Sequence, residues 1–131
     1  MVDNKNMEVA DWLSDYPSEI ADEMVNEILD NPQATVQDEI SQGIGRFGLD
    51  PTNPIPIFGV PNNRTYLNKL RLDNGEKIMW RRMRSLTFKN IEFPVDEYAV
   101  HSFIGYKVTT LYLSSYHLRT SNKAPEGFIL L

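Results

Sequence analysis

At 131 residues, with 13 Lys+Arg against 18 Asp+Glu, the chain has the length of one domain and a net charge of −5. It has no cysteine, which excludes disulfides, thiolate metal ligands and cysteine nucleophiles and points to a reducing compartment. The polar opening Met1-Val2-Asp3-Asn4-Lys5-Asn6 and the absence of any apolar run near the ~20 residues that span a bilayer lead to an expectation of no secretory signal, no membrane partner and a cytoplasmic location.

The charge is unevenly placed. Residues 1–50 hold 12 Asp+Glu and 2 Lys+Arg, while residues 51–131 hold 6 and 11. Such a split points to a charged partner, to pairing within the chain, or to pairing between copies of it.

In chain order, residues 7–15 read as a short helix, with Val9, Trp12 and Leu13 on one stripe and Pro17 ending it. Ser18 is placed to cap a second helix to Leu29, whose apolar face carries Ile20, Met24 and Ile28; Asn31-Pro32 stops it. Thr35–Gln42 opens like a capping box and is expected to form a third helix closed by Gly43. The prolines of Leu49-Asp50-Pro51-Thr52-Asn53-Pro54-Ile55-Pro56-Ile57 exclude a helix and a central strand, so this stretch is expected to lie extended over the core edge, anchored by Ile55, Ile57 and Phe58.

The remainder reads as antiparallel sheet. Thr65–Leu72 alternates, Asp73-Asn74-Gly75-Glu76 is a tight-turn signal, and Lys77–Met83 is expected to return as the partner strand. Leu86-Thr87-Phe88 continues or bends it, and Asn90–Asp96 reads as a loop with room for a short strand. Glu97–Ile104 and Lys107–Leu113 make a second hairpin around Gly105, apolar on both faces and therefore central or curled into a barrel. Tyr98, Val100, Ile104, Val108 and Tyr112 are assigned to one face, and Ala99, Phe103, Leu111 and Leu113 to the other. A polar loop, Ser114 to Lys123, leads to a last strand, Phe128–Leu131. The expected fold is α+β: two or three N-terminal helices, then a curved antiparallel sheet or small barrel of four to six strands. It is one domain, with residues 1–45 acidic and helical, 46–64 a Gly/Pro-rich extended crossover, and 65–131 the antiparallel β part.

Few motifs carry chemistry. Gly43-Ile44-Gly45-Arg46-Phe47-Gly48 matches GxGxxG, but a dinucleotide site needs a strand before it and a helix after it, and here prolines follow. The glycines are read as a helix stop and turn. Trp80, Arg82 and Arg84 are expected on one strand face, with Met79, Arg81 and Met83 on the other, a candidate surface for a partner or for single-stranded nucleic acid. Glu97 and His101 fall on one strand face and, with Tyr112, are the candidate catalytic groups if the sheet forms a ligand-binding cup. No metal-ligand spacing is present, and neither metal nor cofactor is expected. Asn63-Arg64-Thr65 matches a glycosylation sequon.

Three stretches, Leu49-Asp50-Pro51-Thr52-Asn53-Pro54-Ile55-Pro56-Ile57, Tyr66-Leu67-Asn68-Lys69-Leu70-Arg71, and Leu111-Tyr112-Leu113-Ser114-Ser115-Tyr116-His117 with Ala124-Pro125-Glu126-Gly127-Phe128, together resemble a group of small bacterial proteins of the orphan or mobile-cassette type. The resemblance covers residues 46–131. It implies a bacterial origin and a standalone domain, and it brings no activity and no site residues. With no catalytic constellation in the sequence, the leading expectation is a non-enzymatic interaction protein that forms a homo-oligomer or binds a protein partner. A small-ligand or enzymatic pocket and a nucleic-acid surface are the alternatives.

Overall fold

The computed structural model describes residues 37–131. Its elements are β1 (Ile55–Pro56), α1 (Pro61–Lys69), β2 (Leu70–Leu72), β3 (Ile78–Phe88), β4 (Ile91–Ser102), β5 (Lys107–Ser114) and β6 (Phe128–Leu130). The main sheet has the order β1-β5-β4-β3, with β1 parallel to β5 and the other pairs antiparallel; β2 and β6 form a separate antiparallel ribbon.

Two layers enclose one core. The sheet contributes Ile55, Tyr98, Val100, Leu111 and Leu113; α1 contributes Tyr66 and Leu67; the ribbon contributes Leu70 and Phe128. The helix starts on Pro61, whose missing N–H costs nothing in the first turn, and ends on Lys69. Its buried residues Asn63, Tyr66 and Leu67 follow the helical spacing that faces one side. A turn at Phe47-Gly48-Leu49 feeds β1. Gly48 has φ 71°, and a Cβ there would lie 2.8 Å from both Ile55 and Pro125 side chains.

The prolines of the crossover hold β1 to two residues at the sheet edge, with Ile55 and Ile57 fully buried as the expected anchors. The β4–β5 hairpin is central, as its two apolar faces imply.

The expected α+β arrangement is not what the described residues form. They are mostly strand, with a single helix of nine residues, and the sheet is mixed and not wholly antiparallel. Of the expected N-terminal helices, 7–15 and 18–29 lie outside the described residues; residues 37–42 of the third form bends and turns. Thr65–Lys69 belongs to a helix and not to a strand, because Asn63 joins Tyr66 and Leu67 on a single helical stripe. The Asp73–Glu76 turn forms, with Gly75 at φ 90°, yet it joins strands that barely pair: β2 pairs with β6 and β3 with β4, leaving one bridge between Arg71 and Lys77. Asn90–Asp96, expected as a loop with at most a short strand, is from Ile91 on the first half of the long strand β4.

Candidate interaction surface

Strand β3 is the outer strand of the sheet, and its register decides where the basic residues point. Met79 pairs with His101, Trp80 with Val100, Arg81 with Ala99 and Arg82 with Tyr98; after a bulge at Met83, Arg84 pairs with Glu97. The extra residue reverses the alternation. Trp80 and Arg82 therefore lie on the core face, while Arg84 joins Met79 and Arg81 on the outer face. This corrects the expectation that Arg82 and Arg84 share a face.

On the core face Trp80 is half-buried, edge-on to Tyr98 at 5.8 Å, and its indole N–H donates to Asn68 Oδ1 at 3.0 Å. Arg82 reaches Asp96, with Nη2 3.0 Å from Oδ1. Behind this pair lies a buried polar cluster. The Asn63 amide nitrogen has three acceptors for its two hydrogens: Ser115 Oγ at 2.8 Å, Tyr98 OH at 3.1 Å and Asp96 Oδ2 at 3.3 Å. Ser115 Oγ lies 3.0 Å from Asn63 Oδ1 and 3.1 Å from Asp96 Oδ2, so it has two acceptors for its single proton. Burial raises the Tyr98 phenol above its ordinary value, opposed by its bond to Asn63. The cluster fastens α1 to β4 and to the loop after β5. The sequon residue Asn63 is thus buried and fully engaged.

On the outer face Arg84 holds Glu97, with Nε 3.3 Å from Oε1, and Glu97 lies opposite Tyr112. Burial raises the Tyr112 phenol, and the Glu97 charge adds to it. His101 is four strand positions from Glu97, about 13 Å at the rise of a strand. The two do not converge, and the His101 side chain makes no hydrogen bond or ion pair among the described residues. It lines an open groove of about 420 Å³ with Met79, Trp80 and Arg81. The expected cup is filled, because α1 covers the core face and Tyr98 is buried. The cross-strand pairs also revise the expected faces: Leu111 and Leu113 share the core face with Tyr98 and Val100, and Tyr112 shares the outer face with Glu97 and Ala99.

Sequence reasoning missed the contact between His117 Nε2 and Ser114 Oγ at 2.9 Å. A serine beside an imidazole is a nucleophile–base pair in principle. Here Ser114 is wholly buried and His117 packs edge-on against Phe93 at 5.5 Å, so no substrate reaches the hydroxyl. The Gly43–Gly48 stretch forms bends and turns, with neither a strand before it nor a helix after it among the described residues; Asp50 takes up the Arg46 N–H at 2.7 Å, and that bond holds its carboxyl below the usual range. A hollow of about 210 Å³ between α1 and residues 120–122 has three of its polar side chains already engaged: Thr120 Oγ1 accepts from Phe58 N, Asn62 donates to Phe58 O, and Ser121 Oγ donates to Asp38 O. Among the described residues no three His, Asp or Glu gather for a metal, and no helix is long and apolar enough to cross a membrane.

One exposed patch is apolar. At the end of the β4–β5 hairpin Phe103, Ile104 and Tyr106 are 69, 77 and 73% exposed, with Val108 beside them on β5 and Met79 nearby on β3. Ile78 pairs with Ser102 and His101 with Lys107, so these residues share one end of the sheet. No protein-family model, curated protein or solved structure matches the chain.

Proposed function

We propose that this protein works in the cytoplasm by contact and not by catalysis, and that the hairpin end of its sheet is the surface through which it self-associates. The observation that carries the reading is the exposure of Phe103, Ile104 and Tyr106 together, with Met79 and Val108 alongside. Apolar side chains grouped in this way mark interaction sites, whereas singly scattered ones do not. A second copy of the chain is the occupant that the charges favour. Lys107 and Arg81 flank the apolar end, and the acid-rich residues 1–36 give a neighbouring copy the opposite charge.

The candidate catalytic groups support the same reading. Glu97 is tied to Arg84, His101 stands apart from it, and the buried serines have no access to substrate. Hydrogen exchange as a function of protein concentration tests the proposal. Amides of residues 103–108 should gain protection as concentration rises, while those of the Asp73–Glu76 turn should not. Equal protection at all concentrations would refute it.

A further inference from the structure

Strand β3 pairs with β4 on one side, and among the described residues no strand lies along its other side. Alternate N–H and C=O groups of such an edge point outward and can pair with another extended chain. Residues 81–85 are all exposed. Cations flank the edge on both faces, Arg81 and Arg84 on the outer face and Arg82 on the core face, with Lys77 just before the strand. Arg82 and Arg84 remain 55 and 65% exposed in spite of their ion pairs, and Arg81 and Lys77 have no ion pair among the described residues.

These features select the partner. Two β3 edges paired antiparallel would set Arg81, Arg82 and Arg84 against their own copies, and opposed like charges destabilise a ladder. A nucleic acid has no peptide backbone to pair with the edge. It would also find Trp80 edge-on against Tyr98 with its N–H committed, a poor platform for a base. An acidic peptide satisfies both the backbone and the arginines. We propose that β3 takes up an extended, Asp/Glu-rich polypeptide segment as an added edge strand, its carboxylates pairing with Arg81 and Arg84. This surface adjoins the hairpin end at Met79 and Arg81, and it does not require self-association.

The test is fluorescence anisotropy with a fluorescein-labelled peptide of alternating Glu and Val, titrated with the full chain and with its Ile104→Asp variant. Saturable binding to both is expected, weakened at least about fivefold by Arg81→Glu, which sets like charges against each other. Two further peptides carry N-methyl groups on alternate amides, one set each, and one of the two should fail to bind. Lack of binding to the unmodified peptide would overturn the proposal. So would equal binding of both methylated peptides, which would mean charge attraction without strand pairing. Displacement of the peptide by oligothymidylate at matched charge would assign the surface to nucleic acid instead.

Discussion

Replacing Asn63 with alanine removes the one side chain that touches Asp96, Tyr98 and Ser115 together. The partners do not suffer equally. Ser115 still has Asp96 Oδ2 at 3.1 Å and Asp96 still has Arg82, but the Tyr98 hydroxyl loses its Asn63 partner. A buried polar group left without a partner costs about 1–3 kcal/mol. Alanine's better helix propensity returns roughly 0.5 kcal/mol, and the vacated volume costs a comparable amount. The expected loss is about 1–3 kcal/mol, read as a lower urea midpoint at unchanged slope. Asn63→Asp sharpens the test, because it sets a second carboxylate about 3.3 Å from Asp96 Oδ2. Two charges at that distance repel by roughly 5 kcal/mol at an effective dielectric near 20. Proton uptake caps the penalty near 4 kcal/mol at pH 7. The folded pair has a pKa raised above its unfolded value, so the penalty shrinks as pH falls, by about 1.4 kcal/mol per unit. A change below about 0.5 kcal/mol for alanine, or an aspartate penalty that does not depend on pH, would refute the account of the cluster.

Gly48→Ala forces a side chain onto a backbone at φ 71° and against Ile55 and Pro125; a loss of about 1–3 kcal/mol is expected in the same unfolding assay. Arg82→Ala should cost about 1–2 kcal/mol by leaving the Asp96 carboxylate short of its ion pair, whereas Arg81→Ala, which breaks no ion pair among the described residues, should be within about 0.5 kcal/mol of wild type. Asp38 accepts the Asn122 N–H at 2.9 Å and pairs with Arg119. The backbone bond, with Arg119, holds its carboxyl below the ordinary value of 3.8. Its contribution is therefore present above that value and lost as pH falls through the lower folded value. With the side chain 37% exposed, Asp38→Asn should cost only about 0.5–1 kcal/mol at pH 7 and nothing in strong acid, which a pH series of thermal melts checks.

The second half of the sheet was legible because its signals are local. Gly105 and the doubly apolar flanks of residues 97–113 announce a hairpin that is central or curled, and the prolines around Ile55 announce extended chain at the core edge, of which two residues form β1. The helix at Pro61–Lys69 was hidden by Asn63. A polar residue on the buried stripe broke the helical pattern, and Tyr66, Leu70 and Leu72 were left to imitate strand alternation. Asn63 is there because Asp96 and Ser115, 33 and 52 positions away, need its amide. No local rule shows that. The Met83 bulge is similar: one unpaired residue changes the face of Arg84, and only the partner strand reveals it. Pairing of β2 with β6, and not across the Asp73–Glu76 turn, is a long-range choice made by the core that Leu70 and Phe128 share. The candidate surface was half visible. The arginines stood out by density, but the exposure of Phe103, Ile104 and Tyr106 could not be read from residues that also suit a core.

Sedimentation velocity over a range of concentrations, on the full chain and on a Phe103→Ser, Ile104→Ser double variant, bears most directly on the claim that the hairpin end joins copies of the protein. Both side chains are already exposed in the single chain, so their loss should leave the melting temperature nearly unchanged. The wild type should shift to faster-sedimenting species as concentration rises while the variant stays monomeric. A wild type that is monomeric throughout, or a variant that associates equally well, would contradict it.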